Sequence, residues 1–342
     1  MPTTTFDNKI EFVNTLEVLD SEKSVDYASR LINSIDVQYL DTNIYMSKEL
    51  WLPVGSRGAY GGQIIGQALH AGWNTVSDEL FVHSLHCYFI LACDPTIPVI
   101  YNVQRIRDGR SFATRVVTAK QRGKSIFILN CSFATEEKGL SLDHQTTMPV
   151  DIPEPESIPD PIEVMKNIVS NTDDYPEKFR DFMTQILQED QPMDYREVQN
   201  FSPIEIITGD STPTMSKRLW FKSRGYLDVD QKLHTCAMAY ASDRGFLDTA
   251  ARANGTSYIS ENIGMMMSLD HSMWFHKPAR VDDWLLFDME GPRSRNGRGL
   301  VFGKIYNRDG CLVASAAQEG IIRLSQVGQE RMMARPEVES KL

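Results

Sequence analysis

The chain has 342 residues, a length that predicts about two domains, and its 42% hydrophobic and 24% charged residues are typical of an ordinary globular protein. Its 35 basic and 46 acidic residues give a formal net charge of −11. This charge excludes a protein that binds nucleic acid through bulk positive charge, and we expect no nucleic-acid partner. The five cysteines contain no C-x-x-C pair, which favours reduced thiols over a disulfide framework or a metal site.

The two ends of the chain bear on its location. The first residues, MPTTTFDNKIEF, lack the basic region and the apolar core of a signal peptide. No window reaches the roughly 18 apolar residues that a membrane span needs, so we expect no span. The last residues, Ser340, Lys341 and Leu342, form the tripeptide that the peroxisomal import receptor reads. We therefore expect the peroxisomal matrix as the location and the import receptor as a partner.

The first part of the chain predicts one helix followed by a meander of strands. A glycine-rich turn that includes Gly61 and Gly62 opens a helical stretch over 63–76. Apolar stretches bounded by turn residues then predict four strands, over 81–91, 97–106, 111–120 and 125–133.

A proline-rich segment separates this part from the rest of the chain. Residues 149–203 hold eight of the sixteen prolines in an acidic setting. This composition predicts a linker, with room for short helices over 162–169 and 178–187.

The part after the linker predicts the same order of elements. A helical stretch over 234–251 precedes four predicted strands, over 265–275, 284–290, 299–306 and 311–318. In addition, the tetrapeptide that begins at His86 (HCYF) parallels the one that begins at His271 (HSMW). A helix followed by an antiparallel meander, repeated once, indicates a duplication.

The expected fold is an α+β double hotdog. Each unit would wrap a curved antiparallel sheet around one apolar helix, and the two sheets would join edge to edge. The predicted boundaries are 1–137 for the first hotdog unit, 138–204 for the linker, 205–324 for the second hotdog unit and 325–342 for a tail.

Several blocks resemble the signature blocks of the type II acyl-CoA thioesterases, which are double-hotdog enzymes of bacteria and peroxisomes. These blocks are 239–243 (AYASD), 268–276 (SLDHSMWFH), 317–320 (AQEG), 61–63 (GGQ) and 83–86 (HSLH). In that family an Asp, a Ser or Thr and a Gln orient the water that hydrolyses the thioester. The resemblance carries these roles to Asp243, Ser268 and Gln318. It implies hydrolysis of fatty acyl-CoA without metal or cofactor, and assembly into a homo-oligomer.

The residues around Asp243 agree with a general base. Asp243 lies within the apolar stripe of the predicted helix over 234–251, where loss of hydration should raise its pKa. The alternative is a buried structural carboxylate that is satisfied by Arg244 or by a backbone amide.

Ser268 and Gln318 are informative only in combination with the carboxylate. Ser268 opens a predicted strand whose other face carries Leu269, His271 and Met273, and Gln318 ends a predicted strand of small residues. A hydroxyl or an amide in such a place usually only satisfies other polar groups. Together with a carboxylate that takes a proton from water, however, they can hold that water in place.

Four further residues are candidates for contact with the substrate. The backbone N–H groups of Gly61 and Gly62 are candidates for binding an oxyanion, although turn geometry alone would also explain these glycines. His83 and His86 are weaker substrate-binding candidates. Their spacing of three on a strand predicts opposite faces, so we expect no metal site there.

The phosphates of coenzyme A need local positive charge in an acidic chain. One predicted turn carries Arg293, Arg295 and Arg298. The parallel turn of the first unit carries a second cluster, Arg105, Arg107 and Arg110. Either cluster is a candidate for binding the phosphates, and the alternative is that both are solvated loops.

Other functions fit the sequence less well. There is no G-x-S-x-G nucleophile elbow, which argues against a serine esterase of the α/β-hydrolase type. An enoyl-CoA hydratase of hotdog fold needs an Asp/His pair on the hydratase motif, which we do not find. A carrier of acyl-CoA or fatty acid that uses the same groove stays open. Release of free thiol from palmitoyl-CoA separates a thioesterase from both alternatives.

Overall fold

The computed structural model describes residues 26–199, 202–209, 211–228 and 230–334. The expected peroxisomal tripeptide at 340–342 lies outside the described residues. The same is true of the beginning of the expected first unit and of the end of the expected tail. Within the described part of the chain, no helix is long and apolar enough to cross a membrane.

One continuous sheet dominates the described structure. Its strands are β1 (Val37–Asp41), β2 (Ile44–Ser47), β3 (Phe81–Phe89), β4 (Ile100–Asp108), β5 (Phe112–Gln121), β6 (Lys124–Ala134), β7 (Met193–Glu197), β8 (Ser216–Ser223), β9 (Ile263–Ser268), β10 (Asp270–Phe275), β11 (Leu285–Arg295), β12 (Arg298–Asn307) and β13 (Leu312–Leu324). Their order is β1-β2-β4-β5-β6-β3-β10-β13-β12-β11-β8-β7, and β9 pairs with β13 beside this path. The neighbouring strands run antiparallel.

Helices lie in the core and at the margins of this sheet. They are α1 (Tyr27–Ile35), α2 (Gly61–Trp73), α3 (Pro161–Ser170), α4 (Glu177–Leu187), α5 (Pro203–Thr208), α6 (Gln231–Ala241), α7 (Asp248–Arg252) and α8 (Gln326–Ala334). In α2 and α6 most residues are buried, because these two helices are apolar on nearly every side. They form the centre of the hydrophobic core.

The sheet consists of two halves that join at β3 and β10. Strands β1 to β6 pack around α2. Strands β7 to β13 form the other half, whose core residues lie in one hydrophobic cluster with those of α6. At the junction, Leu85 pairs with Met273 and Cys87 pairs with His271, and all four side chains are buried. This arrangement confirms the predicted α+β double hotdog, including the edge-to-edge joining of the two sheets.

The two core helices pack against each other in an antiparallel direction through glycines. A Cβ atom built on Gly62 would lie only 2.1 Å from the carbonyl oxygen of Tyr240, and one on Gly66 would lie 3.2 Å from that of Cys236. An advance along α2 therefore corresponds to a step back along α6. The N-terminus of α2 consequently lies beside the C-terminus of α6.

The helix predicted over 234–251 is two helices separated by a turn. Helix α6 ends at Ala241, and the chain turns at Gly245, whose φ of +66° favours glycine. The apolar pattern continues through the turn because Phe246 and Leu247 are also buried. Asp243 was predicted to lie within the apolar stripe of a helix, but it lies in this turn.

A β-bulge divides the strand that was predicted to run through Ser268. Ser268, the last residue of β9, pairs with Gly320 of β13, whereas Ser272 of β10 pairs with Ala317. The β9–β10 side therefore contains one residue more than β13 between these two pairs. An extra residue shifts the alternation of side chains by one. Ser268 and His271 therefore face the same side of the sheet, which corrects the prediction that they face opposite sides.

The predicted equivalence of His86 and His271 is wrong. His271 is fully buried and pairs with Cys87, whereas His86 is exposed and pairs with Ser272. The two histidines are thus offset by one register position and face opposite sides of the sheet.

The proline-rich segment contains both predicted short helices, which are α3 and α4. Its first part packs against the outer face of the second half, where a cluster is formed by Met148, Ile152, Ile158, Trp220, Trp284, Leu286 and Tyr306. The sequence missed β7, which pairs with β8. The strands of the second half therefore begin inside the segment 138–204.

Candidate active site

Asp243 lies where the ends of the two core helices meet. The residue is partly buried, and a Cβ atom built on Gly61 would lie 2.7 Å from Asp243 Oδ2. The C-terminus of α6 disfavours a negative charge at this place, whereas the N-terminus of α2 favours one. Tyr60, the residue before α2, provides no side-chain cap to its first turn. The carboxylate thus faces the positive end of a helix from the other half of the molecule.

Burial raises the pKa of Asp243 above the ordinary value of 3.8. Four groups oppose this by smaller amounts, namely the ring of His271, the amide of Gln318, the backbone N–H of Gly62 and the hydroxyl of Ser268. A carboxylate with a raised pKa that is still held in place by donors is suited to accepting a proton.

The three residues of the predicted catalytic set are in contact. The Ser268 hydroxyl donates to Asp243 Oδ1 over 3.5 Å, and Gln318 Nε2 donates to Ser268 Oγ over 2.7 Å. The bulge after β9 makes the first contact possible, because it turns Ser268 toward the helices.

Gln318 was predicted to end a strand, but it lies in the middle of β13. It pairs with Val301 of β12, and its side chain is 1% exposed. A buried amide needs partners for both its oxygen and its nitrogen. Its Oε1 lies 2.6 Å from Nδ1 of His271, opposite the bond to Ser268.

His271 and Ser242 extend this chain of contacts, and the sequence reasoning did not assign either to the site. Nε2 of His271 lies 3.0 Å from Oγ of Ser242, and the ring contacts Phe246 edge-on. Burial lowers the pKa of His271, so the neutral ring is favoured. The available signal was a histidine within the resembling block 268–276, at a position that alternates with the buried Met273.

The two glycines that begin α2 have different surroundings. The backbone N–H of Gly62 bonds to the carboxylate of Asp243, whereas Gly61 lies against Asp243 and the ring of Phe89. The guanidinium of Arg244 lies over the ring of Tyr195 at 5.5 Å from its centroid. Of the two donors considered for a structural carboxylate, the structure therefore places the backbone amide, and not Arg244, against Asp243.

His83 and His86 face the outer side of the sheet. Nε2 of His83 lies 2.9 Å from Oγ of Ser132, and Nδ1 of His86 lies 3.0 Å from Oγ of Ser272. The register between β3 and β6 shifts at His83, so this residue is the extra residue of a bulge. The bulge brings both histidines to one face, which corrects the predicted opposite faces, and that face is turned away from Gln318.

The arginine clusters are also separated from Asp243. Arg298 alternates with the buried Gly299 and Val301 and donates from Nε to Glu319 over 2.9 Å. Arg293 and Arg295 are exposed and pair with residues on the same outer face of β12. In the first half, Arg105 bonds to Asn43 and Arg107 lies over Phe112, while Arg110 is exposed. The structure does not bring these arginines to the carboxylate.

The described residues contain no group of three His, Cys, Asp or Glu side chains that could hold a metal ion. The site presents a carboxylate, a hydroxyl and an amide beside a helix N-terminus. Such a set can remove a proton from water and orient the resulting nucleophile.

Comparison with known proteins assigns the chain to a class. A family model described as acyl-CoA thioesterase N-terminal domain matches residues 48–134, and one described as acyl-CoA thioesterase C-terminal domain matches residues 176–322. These two ranges cover more than half of the chain. They also correspond to the two halves of the sheet.

Individual relatives agree with this assignment. Acyl-coenzyme A thioesterase 8 of Mus musculus is 39% identical over 90% of this chain and 94% of its own length. The crystal structure of acyl-CoA thioesterase II TesB2 from Mycobacterium marinum has a TM-score of 0.65 at 31% identity, covering 87% of this chain and 98% of that one. The peroxisomal acyl-coenzyme A thioester hydrolase 1 of Saccharomyces cerevisiae is 28% identical, over 79% of this chain and 87% of its own. The chain belongs to the type II acyl-CoA thioesterase family, as the signature blocks predicted.

Proposed function

We propose that this chain hydrolyses fatty acyl-CoA thioesters to free fatty acid and coenzyme A. Membership of the thioesterase family supports the reaction class. The observation that supports the assignment of residues is the chain of contacts that joins Gln318 and Ser268 to the buried carboxylate of Asp243.

In the proposed reaction Asp243 takes a proton from a water molecule that Ser268 and Gln318 orient. The amide N–H groups of Gln318 donate to Ser268 and to the carboxylate of Asp243, so Gln318 orients the water by fixing both of these groups. The water oxygen forms a bond to the thioester carbonyl carbon, and the C–S bond then breaks. Its electron pair leaves with the sulfur of coenzyme A. A strong general acid is not needed, because a thiol has a pKa of about 8.5, far below that of an alcohol.

The oxyanion that forms on the thioester oxygen needs a donor. We place it at the N-terminus of α2, where partial positive charge and backbone N–H groups are available. The N–H of Gly62 is already bonded to Asp243, so the N–H of Gly61 is the donor in this proposal. The absence of a side chain at Gly61 lets the carboxylate of Asp243 lie close to the backbone beside this N–H.

The decisive experiment is the release of free thiol from palmitoyl-CoA by the purified protein and by Asp243→Asn. Asparagine preserves the shape of the side chain but cannot act as a base, so kcat should fall about 10²- to 10⁴-fold. Asp288→Asn is the matched control, because Asp288 is also partly buried but pairs with Arg218 on β8. A wild-type protein that binds palmitoyl-CoA without releasing thiol would be a carrier, and one that hydrates an enoyl-CoA without releasing thiol would be a hydratase.

We further propose that the protein is imported into the peroxisomal matrix through Ser340, Lys341 and Leu342. The similarity to the peroxisomal thioester hydrolase of yeast supports this location. We also propose a homo-oligomer. Large side chains are exposed on the outer face near the junction of the two halves, among them Tyr88 (61%) and Trp274 (40%). Light scattering during gel filtration measures the assembly.

A further inference from the structure

We propose that His271 is a positioning residue whose neutral, Nδ1-protonated ring fixes the orientation of the Gln318 amide. In this orientation the NH2 group of Gln318 donates to Ser268, and the hydroxyl of Ser268 is left to donate to Asp243. This inference rests on the proposed function, because it assigns a role behind the same carboxylate. His271 itself lies behind Gln318 and does not contact Asp243 through a hydrogen bond within the described residues.

The geometry forms one continuous path of hydrogen bonds. Oγ of Ser242 lies 3.0 Å from Nε2 of His271, and Nδ1 of His271 lies 2.6 Å from Oε1 of Gln318. Nε2 of Gln318 donates to Ser268 over 2.7 Å, and Ser268 donates to Asp243 over 3.5 Å. Ser242, His271 and Gln318 are almost completely buried, so water does not replace any of these partners.

With a neutral His271 ring, two proton arrangements satisfy this path. In the first, every donor points toward Asp243, which requires a proton on Nδ1 of His271 and a hydroxyl of Ser242 that donates to Nε2. In the second, the amide of Gln318 is turned over and donates to Nδ1. His271 then carries its proton on Nε2 and donates to Ser242, whose hydroxyl donates to the Ala239 carbonyl at 2.9 Å.

The charge on Asp243 decides between the two arrangements. In the second arrangement the Ser268 hydroxyl donates to the Gln318 oxygen, and the carboxylate loses that donor. Hydrogen bonds to an ionised acceptor are roughly twice as strong as neutral ones, so an ionised Asp243 selects the first arrangement. Because the path is continuous, this selection sets the tautomer of His271 as well.

The other titratable groups around Asp243 do not change their charge near neutral pH, so they do not contribute to the pH profile measured there. Those that face Asp243 are His271 on β10, Cys87 on β3, Tyr60 before α2 and Tyr195 on β7. His271 is also acted on by Asp270 of its own strand, whose charge favours the protonated ring. Burial raises the pKa of Cys87 and of both tyrosines, so these groups stay neutral.

The first test reads the tautomer of His271 directly in the wild-type protein by ¹⁵N-edited NMR of labelled histidine. The chain has seven histidines, and the His271 signals are identified as those that are lost from the spectrum of His271→Asn. We expect a proton on Nδ1 and none on Nε2 at neutral pH. A proton on Nε2 overturns the proposal, whether or not the protein hydrolyses thioesters, so this result is independent of the proposed function.

The second test compares His271→Asn with His271→Leu in the thiol-release assay. The Asn side chain can still donate toward Gln318, whereas Leu cannot. For His271→Leu we expect kcat to fall about 10- to 100-fold with KM changed less than about twofold, because the substrate is not touched. The acid limb of the kcat/KM profile should move to higher pH by about 0.5 to 1 unit, since Asp243 loses a donor. His271→Asn should recover most of the kcat.

His234→Leu is the matched control, because His234 is also fully buried and bonds through both ring nitrogens, to Asp228 and Val281. It should lower thermal stability without moving the acid limb. If His271→Leu loses kcat with an unmoved limb, or if His271→Asn is as impaired as His271→Leu, the positioning role is wrong. If the wild-type protein releases no thiol, the proposed function fails, and the NMR result still decides the tautomer.

Discussion

Gly61 and Gly62 are adjacent in sequence, yet the same substitution should affect them differently. A Cβ atom on Gly62 would lie 2.1 Å from the backbone oxygen of Tyr240, whereas real Cβ contacts below 3.0 Å essentially do not occur. Since backbone cannot rotate away, α2 and α6 must separate by roughly 1 Å. Overpacking of this kind costs about 1–3 kcal/mol. Gly62→Ala should therefore lower the free energy of unfolding by about 2 kcal/mol.

At Gly61 the obstacle is a side chain. The built Cβ atom lies 2.7 Å from Oδ2 of Asp243, and a carboxylate can rotate out of the way. Stability should change by less than about 1 kcal/mol, within the range of ordinary substitutions. The displaced base should nevertheless lower kcat, by an amount that can reach about 10²-fold for a misplacement of 1 Å.

Gly66→Ala is the control on the same face of α2. Its Cβ atom would lie 3.2 Å from the Cys236 oxygen and 3.3 Å from Ile35, so the neighbours need to move by only a few tenths of an ångström. The intrinsic preference of helices for alanine offsets this cost by up to about 1 kcal/mol. Urea unfolding and thiol release should be measured on all three variants. Full kcat in Gly61→Ala, or wild-type stability in Gly62→Ala, would refute the described contact between the helix ends.

Ser268→Ala and Gln318→Ala should each lower kcat. When either is combined with Asp243→Asn, the fold-loss in kcat should be much smaller than the product of the single losses, because all three residues serve one water in the proposed reaction. Fully multiplicative losses would show that the residues act independently. The raised pKa of Asp243 predicts that kcat/KM falls as the pH decreases through that pKa, so the acid limb should lie above the ordinary carboxylate range of about 4. Asp248→Asn should destabilise the fold by about 3 kcal/mol in denaturant titrations, since it removes the buried carboxylate that Lys217 and Arg252 share and leaves the more exposed Glu197 to pair with both. A loss below about 1 kcal/mol contradicts this. The pKa of Asp248 is lowered in the fold, so its contribution is present above the unfolded pKa and is lost as the pH falls through the folded one. Deletion of Leu342 should leave activity intact and move the protein to the cytosol, and a truncated protein that still reaches peroxisomes contradicts the proposed signal.

The hairpins could be predicted from sequence because their turns have a strong local cause. Asn296 and Gly297 have φ values of +52° and +69°, and Arg122 and Gly123 have values of +49° and +75°. These are the positive φ angles that a two-residue hairpin turn requires, and glycine meets this requirement without strain. Each turn fixes the register of the strands on both sides, so the meanders of both halves follow from short stretches of sequence.

The geometry of the site could not be predicted in the same way, because it depends on irregularities. Alternation along an unbroken strand separates Ser268 from His271, and only the bulge places both toward the helices. The end of α6 before Asp243 is likewise hidden by the buried residues that follow it, such as Phe246. The candidate residues Asp243, Ser268 and Gln318 came from the family blocks, whereas the contact of His271 with Gln318 required the register of the sheet.

The duplicated fold also explains why the site combines groups from both halves. On β10 and β13 the inward positions include His271 and Gln318, both buried and polar. On β3 and β6, which have the corresponding order in the first half, the inward positions are apolar, with Leu85, Cys87, Leu129 and Cys131. An antiparallel pair of helices brings an N-terminus beside a C-terminus at each of its two ends. Of these two ends, the one beside Asp243 faces the polar side chains of His271 and Gln318. The first half therefore contributes glycines at a helix N-terminus, the second half contributes the acid, hydroxyl and amide, and neither half alone contains a complete site.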